Sequence, residues 1–225
     1  MGQFDFADWQ NQVCCEIKQA GRDSDRLLTT LRELTDQAER TLIESEQFDP
    51  DLIDCRAGCK SCCVVNVSVL FPEGLAIAGY VQNLPAAEQG QVTKRLEELW
   101  RAVRGLTDDE RIGISQSCAF IDEAGHCRIY PVRPLLCRSV TSTNAESCRE
   151  ALTENLLGEN SQVLMNLFQK ELFETLYIGV GEGLESAGLE GRGVKLTGLV
   201  RHLMEKPEAG DALLSGKKLN WHDLA

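Results

Sequence analysis

Four cysteines stand within nine residues, Cys55, Cys59, Cys62 and Cys63, and four more follow at Cys118, Cys127, Cys137 and Cys148. Thiolates gathered into one small volume repel one another, so they persist either oxidised to disulfides or neutralised by a metal. Three and then two residues separate Cys55, Cys59 and Cys62. On a helix that spacing turns the three sulfurs to one side, and in a loop they still converge. Cys63 diverges from Cys62 by about 100° on a helix and about 180° on a strand. A single tetrahedral zinc therefore takes all four sulfurs of the run only with difficulty. Either a distal cysteine completes one centre, or the run feeds two adjacent metals or one polynuclear cluster. Cys118 and Cys127 flank a hairpin-like stretch and come close across it.

The surroundings of the thiols favour metal over disulfides. Residues Met1 to Trp9 carry acids where an export signal would have a basic region and an apolar run, so a cytoplasmic, thiol-reducing compartment is expected. The best candidate for a membrane span, around Ile178, is interrupted by Gly179, Gly181, Glu182 and Gly183. Ten cysteines in 225 residues are sparse for a disulfide scaffold, and the chain is long enough to bury a core without staples. There are only three histidines, His126, His202 and His222, so ligation falls to sulfur. His126 reads as an exposed turn residue, and Cys14 and Cys15 as small apolar members of a helix. A net charge of −12 argues against nucleic acid and anionic membrane as partners. Against that acidic background Arg56, Lys60, Arg128, Arg133, Arg138 and Arg149 lie beside the cysteines. Cations stabilise thiolates, and N–H groups donated to metal-bound sulfur tune it. Arg56 and Arg149 read as surface ion-pair residues. Arg133 and Arg138 bracket Cys137 beside Pro134 and are expected to support the bound group, with Tyr130 at the start of the same segment.

The elements that position these residues are mostly helical. A stripe of Phe6, Trp9, Val13 and Ile17 predicts a helix over Asp5–Gln19. Ser24 predicts an N-cap for a second helix reaching Phe48, with Leu27, Leu31, Leu34, Ala38 and Leu42 on its buried face. Val64 to Leu70 alternates like a short strand. Pro72 opens a helix over Glu73–Asn83, and another follows over Ala86–Arg104. Residues 119–129 predict a hairpin turning at Asp122–Gly125, and Pro131 and Pro134 an irregular segment. Helix resumes from about Glu146, most clearly between Ser161 and Tyr177, and the glycines between Gly179 and Gly198 predict broken helices and turns. The expected fold is a single mostly α domain with cysteine-bearing loops and a short β-hairpin: N-terminal helices over 1–50, a cysteine-cluster segment over 51–150, and a helical extension over 151–225.

Cys-x3-Cys-x2-Cys-Cys, followed by Cys127-Arg-Ile-Tyr-Pro-Val-Arg-Pro-Leu-Leu-Cys137-Arg138, resembles the cysteine-cluster family called YkgJ-type or CxxCxxCC. The resemblance covers about residues 50–150, though three residues stand between the first two cysteines where the family label has two. It implies a zinc- or iron-chelating domain with Cys55, Cys59, Cys62, Cys63, Cys118, Cys127, Cys137 and Cys148 as metal ligands. The expected cofactor is an iron–sulfur cluster of the 4Fe-4S type, or zinc, serving a structural, electron-transfer or metal-handling role; adjacent cysteines and a cationic rim favour iron–sulfur. Two alternatives stand beside it. One is an iron–sulfur enzyme resembling protein lysine methylases, although no nucleotide-binding glycine fingerprint follows a strand, and Ser61 stands where radical S-adenosylmethionine enzymes place an aromatic residue. The other is a thiol redox or soft-metal sensor.

Overall fold

A computed structural model describes residues 4–114, 116–156 and 162–224 of the chain. It is mostly α-helical, as expected. Helix α1, Phe6–Ala20, starts where the Asp5 carboxylate accepts the N–H groups of Ala7 and Asp8 at 3.0 Å, and stops at Gly21, whose φ of 65° few other residues adopt. Helix α2 spans Ser24–Glu44 and buries the stripe from Leu27 to Leu42. Its cap is Asp23, which accepts the Arg26 N–H at 2.9 Å, so Ser24 is the first helical residue and the helix ends before Phe48.

Helix α8, Leu167–Ser186, departs most from expectation, because it runs unbroken through Gly179, Gly181 and Gly183. Packing explains this. A Cβ on Gly179 would lie 2.9 Å from the Gln10 carbonyl oxygen and from Val13 Cβ, and one on Gly183 would lie 2.8 Å from the Cys14 carbonyl oxygen. The two glycines, four apart, let α1 press its backbone against α8. Each costs about 1 kcal/mol of helix propensity. The approach they allow buries Val13, Ile17, Val180 and Leu184 completely, worth about 1.5–3 kcal/mol per side chain. Ser161, where helix was expected to begin, lies outside the described residues. The described helix begins at Leu167 with Asn166 as its cap, accepting the Gln169 N–H at 2.8 Å.

Between these elements lie α3 (Phe71–Gln82), α4 (Ala86–Val103), α5 (Asp108–Gly113), α6 (Leu135–Ser139) and α7 (Ala145–Leu156). The sequence reading did not anticipate α5, although Thr107 and Glu110 form a reciprocal capping box in front of it. The expected strand over Val64–Leu70 shrinks to β1, Ser68–Val69, which pairs antiparallel with β2, Val194–Lys195. The hairpin is reduced to one bridge, Ile121 with Cys127, around a turn in which the Gly125 N–H reaches the Asp122 carbonyl at 3.1 Å. Helices α9 (Leu196–Glu205), α10 (Glu208–Leu214) and α11 (Trp221–Leu224) complete the chain, and one apolar cluster runs from Trp9 to Leu224. Among the described residues no helix is long and apolar enough to cross a membrane.

Candidate metal centre

Backbone hydrogen bonds and two glycines hold the cysteine-bearing loops against one another. Gly58 (φ 90°) and Gly125 (φ 88°) both need the left-handed conformation, and a Cβ on Gly125 would sit 3.0 Å from the Gly58 carbonyl oxygen. The loop carrying Cys59 is thereby laid on the turn between Cys118 and Cys127. A short 3-10 turn, Ser61–Val64, carries Cys62 and Cys63. The Cys118 N–H donates to the Cys63 carbonyl at 2.7 Å, tying the first run to the second group. Asp54 fastens the other end. Its N–H donates to the Ser142 carbonyl at 2.9 Å, and its carboxylate accepts the Ala145 N–H at 2.8 Å at the start of α7. The Ser142 N–H donates to Cys55 Sγ at 3.2 Å, and α7, which bears Cys148, packs on the Ser61–Val64 turn.

The eight thiols fall into two electrostatic neighbourhoods that meet at Cys62. Burial raises the pKa of Cys55, and the like charges of Cys59, Cys62 and Cys148 add to it. Cys63 feels Cys62, Cys118 and Cys137; Cys118 feels Cys127; Cys137 feels Cys118, Cys62 and Cys127. Burial is the largest influence on most of this inner group. It raises Cys118 to about 11 and pushes Cys127 and Cys137 upward as well. The adjacent pair is the exception. The Cys63 thiol donates to the Cys62 sulfur, and with the charge of Arg133 this brings Cys62 down to about 6 while Cys63 is driven up.

The cations divide by use. Arg133 stacks its guanidinium 5.2 Å from the centre of the exposed Tyr130 ring, lowers Cys62, Cys127 and Cys137, and keeps a buried Nε–H without a partner. Arg138 is fully engaged elsewhere: Nε donates to the Arg133 carbonyl at 2.9 Å, Nη2 to the Pro131 carbonyl at 3.3 Å and Nη1 to the Glu39 carboxylate. It shapes the 131–138 segment and reaches the thiols only through its field on Cys127. Arg128 turns away to Glu88 and Gln91 on α4. Arg56 and Arg149 form exposed pairs with Asp54 and Glu146 at 3.6 and 4.0 Å. His126 is exposed, its Nδ1 3.8 Å from Asp122, while His202 belongs to α9 and His222 to α11. Cys14 is half-buried and Cys15 exposed on α1, apart from the group. The sequence reading missed Arg111. This arginine on α5 is 2% exposed, and its charge acts on Cys118. Its only advance signal is the capping box that announces α5.

Residues 54–157 match the family model of the CxxCxxCC domain, described as "Putative zinc- or iron-chelating domain". Over these residues the chain is similar to that family. No curated protein and no solved structure matches the chain. The donor set of residues 54–157 fits a thiophilic metal in kind: sulfur predominates, and the charge of Arg133 favours the thiolate form of Cys62, Cys127 and Cys137. Among the described residues, no three thiol, imidazole or carboxylate side chains surround a common point closely enough to hold a metal ion as they stand. Gly179, Gly181 and Gly183 lie within α8, where Gly179 and Gly183 admit α1 and Gly181 faces the Gly191 carbonyl, and they make no nucleotide loop.

Proposed function

We propose that the protein holds iron through its cysteine thiolates, as a 4Fe-4S cluster on the inner group Cys63, Cys118, Cys127 and Cys137. Cys62 stands at the junction, and Cys55, Cys59 and Cys148 form an outer group that takes or passes metal. The observation that carries this reading is the grouping of four thiols whose charged forms repel one another with two guanidinium groups, Arg133 and Arg111, that each keep a buried N–H without a partner among the described residues. Four thiolates are the usual ligand set of such a cluster, and N–H donors to sulfur tune it. Binding draws the inner sulfurs together, with Arg133 and Arg111 offsetting the added negative charge. The cluster supplies one-electron chemistry or a structural tie; the residues supply position, charge balance and partial exclusion of water.

Purification without oxygen, followed by metal and acid-labile sulfide analysis with absorption spectroscopy, tests this. Iron with comparable sulfide and a brown chromophore is the expected result. A colourless protein with stoichiometric zinc keeps the thiolate centre and removes the cluster.

A second reading, thiol redox chemistry, is favoured by the adjacency of Cys62 and Cys63, in which the neighbouring thiol and then Arg133 lower the Cys62 pKa. It predicts that chelation frees no additional thiols, whereas a metal centre predicts that it does.

A further inference from the structure

Two buried arginines flank the thiols, and they are satisfied to different degrees. Arg138, 9% exposed, has every guanidinium nitrogen paired and a carboxylate partner in Glu39. It lines, with Glu73 and Arg32, a cleft of about 400 Å³ beside α2, and its bonding explains its burial. Arg111 is buried more deeply, at 2% exposure, and is far less well served. Nη2 donates to the Gln116 carbonyl at 2.7 Å; Nη1 is buried with no partner, and no carboxylate pairs with the guanidinium among the described residues. An arginine does not shed its proton to relieve such a position, and an uncompensated buried charge costs several kcal/mol. Among the described residues, the group able to carry negative charge whose field acts on it is Cys118.

We propose that Arg111 is the counter-charge of the inner group: its Nη1 donates to the Cys118 sulfur when that sulfur is a metal-bound thiolate, so that centre and guanidinium neutralise each other. This rests on reading the inner group as a thiolate centre. Arg111 is then a positioning residue with opposite effects in two states. It burdens the metal-free fold, in which nothing offsets its charge, and it stabilises the loaded one. Arg133, with its own unpaired Nε, acts on the same sulfurs from the Tyr130 side.

The test compares wild type, Arg111→Leu and Arg111→Lys in the full chain. Each is purified without oxygen, and part of each preparation is stripped with chelator. For Arg111→Leu, the metal-free protein should unfold at the same urea concentration as wild type or a higher one. The loaded protein should lose metal to chelator about tenfold faster or more, the equivalent of one charge-assisted hydrogen bond. Arg111→Lys, which keeps the charge, should recover most of the retention. Equal retention in wild type and Arg111→Leu overturns the proposal. So does equal loss of retention in Arg111→Leu and Arg111→Lys, accompanied by parallel destabilisation of their metal-free forms, which marks a purely structural residue. Should Arg111→Leu fail to fold, Arg111→Gln against Arg111→Lys carries the same comparison. Wild-type protein that carries no metal removes the reading of the centre itself, and this inference with it.

Discussion

Close approach through paired glycines occurs twice in this protein, with different consequences. At the α1–α8 contact, Gly179 and Gly183 bring two helices together over fully buried Val13, Ile17, Val180 and Leu184, so the approach is held mainly by apolar burial. In the cysteine segment, Gly58 and Gly125 bring two loops together, and what gathers there is a set of thiols whose charged forms burial and mutual repulsion oppose. The helical frame is held by a continuous buried apolar cluster. The cysteine segment becomes fully favourable when its charge is balanced, by cations and by a bound metal.

The largest expected effect breaks the frame. Gly183→Leu forces a side chain into the Cys14 backbone, where nothing flexible can yield. We expect about 3 kcal/mol of destabilisation or more, or failure to fold, read by urea denaturation, with metal making no difference.

Glu73 links the two regions and gives an effect of similar size that depends on pH. Its buried carboxylate accepts the Leu70 N–H and the Leu135 N–H, both at 2.8 Å, joining α3 to the start of α6. Burial raises its pKa from 4.5 to about 7, outweighing the two donors and the Arg138 charge. A carboxyl with a folded pKa above its unfolded one binds its proton more tightly in the native state. Its contribution to stability is therefore complete below about pH 4.5 and is lost as pH rises through about 7. Wild type should lose about 3 kcal/mol relative to Glu73→Gln across that window. Parallel urea titrations of the two proteins read the difference, and a constant gap between them would show that burial does not shift this group.

A smaller effect should be confined to the cysteine segment. Gly125→Ala strains a backbone with φ of 88° and crowds Gly58, at a cost of about 1–2 kcal/mol. Metal retention should fall while the urea midpoint of the metal-free helical frame stays close to wild type.

The frame and the thiols were legible to different depths. The buried stripes of α1 and α2 could be read from period alone, because one-sided burial imposes that period. The glycines of α8 could not, since a glycine that permits close helix contact and one that breaks a helix look alike until the partner helix is known. Pairing of Ser68–Val69 with Val194–Lys195 joins segments too distant for local pattern to connect. In the candidate site the residue types were legible, as thiols and nearby cations. Which thiols neighbour which was not, because loop side chains follow no period. Arg111 was hidden for a related reason: Asp108-Asp-Glu-Arg-Ile is a run of charges, and only the fold buries Arg111 where its charge and that of Cys118 act on each other.

The central claim is that the cysteines from Cys55 to Cys148 share a metal-holding assembly that excludes Cys14 and Cys15. Alkylation of protein purified without oxygen, mapped cysteine by cysteine by mass spectrometry before and after chelation, tests it most directly. The account predicts that Cys63, Cys118, Cys127 and Cys137 are protected at first and become reactive once metal is removed, while exposed Cys15 reacts equally in both states. Equal reactivity of the inner four before and after chelation would contradict it.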